Sequence, residues 1–325
     1  MQIPTGEIDL LTMGEALIDL ISVEQVESLY EAQQFEKHQG GSPANIAVNL
    51  AKLDRTSAFI GKTGIGAFGT FIKAELRRAG VITDYMIMDH RVHTSVIFVS
   101  RTQGTPDFEA FRDGDYRLEP KDLNEEAVRN AKVVHTSIWP VSREPSRTAV
   151  ERAFHIAHEA GKIISFDPNY SSRIWPDHRE ALEVIPRMLK LATITKPSLD
   201  DAHRFFGDKE AHLPPDAYIS RYHEMGAEIV VLTMGKEGIL LSESGRSKLQ
   251  HIPAQKIEVV DATGAGDSFW AGFIAALLDE QPLQRCALFA REIVGMKLTR
   301  VGPLPDKIDR QKIYAKIDQL GETSD

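Results

Sequence analysis

The sequence predicts an α/β fold: a mostly parallel central sheet, covered by helices on both faces, with a small β-sheet standing off it as a lid. Three observations predict it. Between residues 131 and 233, short apolar runs alternate with longer stretches of helical period, the signature of βαβ units. Between residues 92 and 118 the pattern changes to two strand-like runs joined by a turn-rich segment. Near the C-terminal third, Val260-Asp261-Ala262-Thr263-Gly264-Ala265-Gly266-Asp267-Ser268-Phe269 joins the apolar run 257–260 to a helix.

Taken in order, residues 8–13 read as a buried strand that runs into Gly14-Glu15, and 17–21 as a second strand carrying Asp19. The stretch to His38 is mixed and polar. Gln39-Gly40-Gly41-Ser42-Pro43-Ala44-Asn45 then leads into a helix over 46–53, with Ser42 expected as the N-cap and Pro43 as the first helical residue. A strand over 57–62 precedes Gly64-Ile65-Gly66-Ala67-Phe68-Gly69 and a helix to residue 79. In the lid region, strands over 93–100 and 108–112 flank the turn 102–106. Further strands are expected over 132–136, 163–166, 192–195 and 228–233. The helices between them are expected over 144–159, 179–189, 199–206 and 217–225. Residues 238–242 and 247–251 look like an antiparallel addition, and helices after Gly264 close the fold. With no internal repeat and no linker-like segment, residues 1–325 read as one domain, its lid contributed by about 17–38 and 92–118.

Composition narrows the function. Hydrophobic residues make up 42% and charged residues 26%, as in ordinary globular proteins. The net charge of −9 argues against nucleic acid as a partner. The single cysteine, Cys286, excludes an internal disulfide and a cysteine-built zinc site. No apolar run approaches membrane-spanning length, and the first residues lack a basic segment followed by an apolar one. The expectation is a cytoplasmic protein with no membrane partner.

The chemistry is concentrated at residues 261–269. Phe269, Phe273 and Leu277 recur every four residues, with Ile274 and Leu278 beside them, so a helix begins just after the glycines. Small residues at its start leave the first backbone N–H groups bare, and such a terminus binds phosphate. Asp267 sits in the first turn, where the helix dipole favours its ionised form. A phosphate cradle beside a carboxylate is what phosphoryl transfer to an alcohol requires. Two other glycine patterns compete. Gly61-Lys62-Thr63 ends like a P-loop, but Thr56 stands where that motif begins with glycine. Gly64-x-Gly66-x-x-Gly69, with Asp84 and Asp89 about 20 residues on, matches a dinucleotide fingerprint and supports a rival reading as an NAD-dependent oxidoreductase.

Asp261-Ala-Thr-Gly-Ala-Gly-Asp267 resembles the second signature of the ribokinase-like (PfkB) carbohydrate kinases, and Gly40-Gly41-Ser42-Pro43-Ala44-Asn45-Ile46-Ala47 resembles their first. The resemblance extends over nearly the whole chain. Ile60-Gly61-Lys62-x-Gly64-x-Gly66-x-x-Gly69 is similar to the segment after that first signature. Gly14-Glu15-Ala16-Leu17-Ile18-Asp19 resembles the first strand, and Phe166-Asp167-Pro168-Asn169 with Ile174-Trp175 resembles a segment of fructokinases and ketodeoxygluconate kinases. Gly66, Ser171 and Arg291 stand where many relatives have an acidic residue, an arginine and an asparagine.

The resemblance implies a ribokinase-like three-layer α/β/α fold and an ATP-dependent kinase that phosphorylates a primary hydroxyl of a small sugar, with fructose the leading candidate. It implies Asp267 as general base and a Gly264-Ala265-Gly266 anion hole, to which Ala265, Gly266 and Asp267 offer backbone N–H groups. Asp19, Gly40, Gly41 and Asn45 are matched to sugar binding, and Arg112, near the end of a lid strand, lies within reach of substrate. Lys196, Ser198, Thr233, Gly235 and Gly238 are matched to the nucleotide, with Gly266. Asp201 is matched to Mg²⁺, held mainly through water, and Asp261 to a monovalent cation such as K⁺. Ketodeoxygluconate is the alternative substrate, with Arg112 and Arg173 as a clamp for its carboxylate; a non-catalytic sugar- or nucleotide-binding homologue is the alternative of another class. The histidine pairs His155/His158 and His90/His93 read as solvated faces. Free lid edges leave pairing of two copies into a homodimer open.

Overall fold

The computed structural model describes residues 1–102, 107–175, 177–207, 213–245, 249–300 and 302–322. Most of the predicted turn 102–106 lies outside the described residues.

The strands are β1 (Ile8–Met13), β2 (Leu17–Gln25), β3 (Phe35–Gly40), β4 (Ser57–Gly64), β5 (Met86–Asp89), β6 (Val96–Arg101) and β7 (Phe108–Phe111). They continue with β8 (Ala131–Ser137), β9 (Ile163–Asp167), β10 (Ile194–Thr195), β11 (Ile229–Thr233), β12 (Ile239–Glu243) and β13 (Gln250–Ile252). The helices are α1 (Ser42–Lys52), α2 (Ala67–Arg78), α3 (Glu125–Arg129), α4 (Ile138–Val141), α5 (Ser146–Glu159), α6 (His178–Leu189), α7 (Leu199–Phe206), α8 (Pro215–Glu224), α9 (Ala265–Leu278), α10 (Leu283–Leu298) and α11 (Arg310–Glu322).

Nine strands form the main sheet in the order β13-β12-β11-β10-β9-β8-β1-β4-β5. All neighbouring pairs are parallel except β11–β12 and β12–β13, the expected antiparallel addition. Successive side chains of a strand point to opposite faces, and the core divides accordingly. Leu11 and Met13 of β1 and Val230 and Leu232 of β11 pack with α5, α6, α7 and α8. Leu10, Ile229 and Val231 pack with α1, α9, α10 and α11 on the other face. This is the three-layer α/β/α arrangement. Helix α9 is buried at every residue from Ser268 to Leu278, so it is apolar all round rather than striped.

The second sheet has four strands in the order β3-β2-β6-β7. The hairpin β6–β7 is antiparallel, and β2 lies parallel to β6, with Asp19 opposite Ile97. Strand β3, which pairs antiparallel with β2, lies mostly within the stretch 17–38 expected to contribute to the lid but was not read as a separate strand, because its residues 36–38 are exposed and polar.

The glycines at 64–69 are explained by packing. A Cβ at Gly69 would collide with the carbonyl oxygen of Gly64, and one at Gly64 would lie 2.6 Å from the carbonyl oxygen of Val92. Gly66, at the start of α2, faces open space. Gly69→Ala is therefore expected to cost about 1–3 kcal/mol in urea unfolding, by overpacking. Gly66→Ala should cost clearly less, and equal costs would refute this account.

Candidate active site

Residues singled out from sequence, and three that were given no role there, converge on the carboxyl ends of the parallel strands, where open α/β sheets bind ligands. Glu15 follows β1, Ser137 ends β8, Asp167 ends β9, Lys196 and Ser198 follow β10, and Thr233 ends β11. Helix α9 begins at the same edge.

Gly264 is the N-cap of α9 and has φ 70°, a left-handed conformation that glycine adopts without strain. A Cβ there would meet nothing within 4 Å, and one at Gly266 would meet only Lys196 Nζ, at 3.7 Å. The space in front of the helix terminus is thus open, with a buried ammonium beside it. Among the described residues the backbone N–H groups of Gly266 and Asp267 have no hydrogen-bond partner, whereas that of Ala265 donates to the Ala262 carbonyl at 3.1 Å. Of the Ala265, Gly266 and Asp267 N–H groups expected as donors, two are therefore unpaired among the described residues, because Ala265 closes the preceding turn.

Both oxygens of Asp267 are held by α1. The Ser42 hydroxyl donates to Oδ1 at 2.7 Å and the Asn45 amide to Oδ2 at 2.9 Å. The Asn45 orientation is set by Gln39, whose amide donates to Asn45 Oδ1 at 3.1 Å. Burial raises the Asp267 carboxyl above its ordinary value, against the pull of Asn45, Ser42 and the Lys196 charge. Ser42 is not the helix cap: the N-cap is Gly41, with φ 99° and no capping side chain, and Ser42 spends its hydroxyl on Asp267 instead. Asp19 lies close enough for the Asp267 charge to add to burial, and the two push its carboxyl up to about 7. A Cβ on Gly40 would collide with the Asp19 carboxylate, and one on Gly41 with the Glu15 carbonyl, so both glycines allow a close approach.

Sequence reasoning assigned no role to Glu15 or Ser137. Glu15 is 1% exposed and accepts from the Ser137 hydroxyl at 3.0 and 3.1 Å and from the Ser42 backbone N–H at 3.2 Å. It thereby fixes the residue that holds Asp267. Burial pushes its carboxyl from 4.5 up to about 8; the Asp115 charge adds to this, while Ser137 and Arg112 oppose it. The folded state therefore keeps a proton that the unfolded chain loses near 4.5, so stability falls as pH rises from about 4.5 to about 8. Glu15→Gln, which cannot ionise, should flatten that decline in urea unfolding followed across this range. An unchanged slope would rule out Glu15 as its source.

Lys196 is buried and pairs with Asp167 at 2.9 Å. Burial pulls its ammonium down, but Asp167, Asp201 and Asp267 outweigh this, and it stays protonated. Burial likewise pushes Asp167 up to about 6, although Lys196 opposes the rise. Asp167 was part of a recognised sequence segment but was given no role; only its pairing with Lys196 reveals one. Asp201 and Ser198 form a reciprocal capping box at the start of α7, with Ser198 N donating to Asp201 Oδ2 at 3.1 Å and Asp201 N to Ser198 Oγ at 3.0 Å. Arg204 donates to the other Asp201 oxygen at 3.1 Å. Thr233 bridges to Ser198, and the turn after it carries Gly235 in open space and Gly238 packed against the Ile252 carbonyl.

Three residues matched to ligands have partners within the chain. Arg112 is turned inward: it pairs with Asp115 at 2.7 Å, donates to Ser142 Oγ at 2.9 Å and the Trp139 carbonyl at 3.0 Å, and lies over the Trp139 ring. Its side chain is 4% exposed, so it is no solvated surface residue. Arg173 reaches Asp107 and the Phe108 carbonyl, joining its loop to the lid. Asp261, matched to a cation, is paired with Lys297 at 2.7 Å. His155 and His158 lie on an exposed face of α5.

A helix terminus open to phosphate, a carboxylate fixed at its mouth and a lid sheet carrying a second carboxylate are the parts of a kinase acting on a small hydroxyl compound. The model of the pfkB family of carbohydrate kinases matches residues 7–308. The chain is 34% identical over 310 residues to an ATP-dependent 6-phosphofructokinase of Thermoanaerobacterium thermosaccharolyticum, covering 95% of this chain and 94% of that one. It is 31% identical over 305 residues to fructokinase-1 of Oryza sativa subsp. japonica, covering 91% and 93%. The structure of Halothermothrix orenii fructokinase superposes with a TM-score of 0.78 at 36% identity, covering 91% of this chain and 100% of that one. An uncharacterised sugar kinase from Pyrococcus horikoshii in complex with ATP superposes at 0.82 with 27% identity, over 93% and 96%.

The chain belongs to the pfkB family of carbohydrate kinases. It is an ATP-dependent sugar kinase, and the oxidoreductase reading of Gly64 to Gly69 falls with that result. Among the described residues no helix is long and apolar enough to cross a membrane.

Proposed function

We propose that this chain transfers the γ-phosphoryl group of ATP to a primary hydroxyl of fructose, with Asp267 as general base. The observation that carries this reading is the Asp267 carboxylate, clamped by Ser42 and Asn45 at the mouth of the open cradle that Gly264 creates. The sugar hydroxyl oxygen attacks the γ-phosphorus as the bond to the bridging oxygen of ADP breaks. The hydroxyl proton passes to Asp267, late in the step, because the transition state is loose and an ionised carboxylate is a weak base. The N–H groups of Gly266 and Asp267, with the Lys196 ammonium beside them, stabilise charge on the moving group. Asp19 and Asn45 bind sugar hydroxyls from the lid and from α1, and the lid excludes water. Ser198, Thr233, Gly235 and Gly238 border the nucleotide side.

Mg²⁺, held near Asp201, would screen the negative charge of the ATP phosphates. The residues fit it: among the described residues Asp201 has one hydrogen-bond donor on each oxygen, which leaves lone pairs for metal-bound water and no open bidentate face. The fructokinase relatives support the unphosphorylated sugar. The Thermoanaerobacterium relative favours a second reading, in which the acceptor is fructose 6-phosphate. ADP release from ATP and Mg²⁺ across fructose, fructose 6-phosphate, ketodeoxygluconate, ribose, glucose and adenosine decides between them. Turnover highest with fructose is expected; no turnover with fructose would overturn the first reading.

A further inference from the structure

The family resemblance implies a monovalent cation at Asp261, and the structure disagrees. Asp261 lies three residues before Gly264, on the loop that delivers the N–H cradle. Its carboxylate and its own carbonyl are the oxygen donors that Asp261 itself can offer a cation. Both already face a cation of this chain: Lys297 Nζ is 2.7 Å from Asp261 Oδ2 and 3.5 Å from the Asp261 carbonyl oxygen. The other carboxylate oxygen accepts the Thr263 N–H at 2.9 Å. Lys297 is 5% exposed and lies in the last turn of α10, where the helix dipole favours positive charge. The same helix end grips the loop through the Leu298 carbonyl, which accepts the Val260 N–H at 2.7 Å. A second unit charge at these oxygens would meet the ammonium at close range and be repelled.

We infer that Lys297 is a tethered replacement for the monovalent cation: its ammonium neutralises Asp261 and positions the loop 262–266, so catalysis by this chain is independent of K⁺. Lys297 is a positioning residue, acting through Asp261. The activity part of this inference rests on the kinase reading above; the binding part does not.

The test compares the wild-type chain, Lys297→Met and Lys297→Arg in equal concentrations of KCl, NH₄Cl and choline chloride. Two quantities are read: ADP release with ATP, Mg²⁺ and each of fructose and fructose 6-phosphate, and the thermal midpoint without substrates. The wild type should give the same rate and midpoint in all three salts. Lys297→Met should lose about tenfold or more in choline chloride, through misplacement of the loop. It should recover in KCl or NH₄Cl, with a midpoint raised by the same ions. Lys297→Arg should remain salt-independent. A wild type whose rate or midpoint rises in KCl over choline chloride would overturn the inference, even if Lys297→Met fails to fold. So would a folded Lys297→Met that neither ion restores. Absence of turnover with every sugar would count against the kinase reading alone, since the midpoints still report whether K⁺ binds.

Discussion

Asp267→Asn should abolish most of the phosphoryl transfer while leaving the fold in place. The substitution keeps the size of the side chain and one oxygen that can accept from Ser42 or Asn45, which now hold the carboxylate at 2.7 and 2.9 Å. It removes the group that takes the hydroxyl proton. Loss of a positioned general base costs on the order of 10²–10⁴ in rate. The loss should appear in kcat, measured as ADP release at saturating sugar, with the KM for ATP little changed. The pH profile carries a second signature. Burial raises the Asp267 carboxyl, so the base is lost by protonation as pH falls, and the acid limb should lie above that of an ordinary aspartate. In Asp267→Asn that limb should vanish along with the activity. A variant retaining more than about a tenth of the wild-type kcat would show that Asp267 is not the base.

Lys196→Met should be costly twice over. Lys196 places a buried positive charge near Asp167, Asp201 and Asp267, and its removal leaves Asp167, 2% exposed, without its partner at 2.9 Å. Breaking a buried pair by removing one member costs about 3–5 kcal/mol, because the remaining charge is uncompensated. Urea unfolding should show this loss at and above neutral pH. It should shrink as pH falls, because Asp167, already pushed up to about 6, takes a proton and the uncompensated charge disappears. The rate should fall by about 10²–10³, as one donor to the transferring group is lost. The double variant Lys196→Met/Asp167→Asn separates the effects: stability should return in large part and activity should not. If activity returned with stability, Lys196 would be a structural residue only.

The main sheet was legible because its code is local. Each strand between residues 131 and 233 is an apolar run bounded by a helix of clear period, and the observed β8, β9 and β11 fall within two residues of the expected spans. Strand β10 shortens to Ile194–Thr195: the Ala192 N–H still bonds back to the Leu189 carbonyl of α6, while Thr193 already bonds to Ile164 and Ile229 on either side. Strand β3 was not read as a separate strand because its residues 36–38 are exposed and polar. The helix after the glycines was legible for a related reason: α9 is so thoroughly buried that its apolar residues repeat without interruption.

The site divides along the same line. The sequence by itself determined that a helix with a bare N-terminus begins after the glycines and that Asp267 stands in its first turn. Small residues before a buried helix have one physical consequence, bare N–H groups at a positive helix end, wherever the helix is placed. Only the tertiary structure decided who holds that carboxylate and who balances the neighbouring charges. Ser42 looked like a helix cap and instead reaches Asp267, a residue 225 positions away. Glu15 orients Ser42, Lys196 pairs with Asp167, Arg112 folds inward on Asp115, and Lys297 pairs with Asp261. Charged and hydroxyl side chains have no period that announces a partner. Their partners are fixed by which strand ends the sheet order brings together, and by the cost of burying a charge without one.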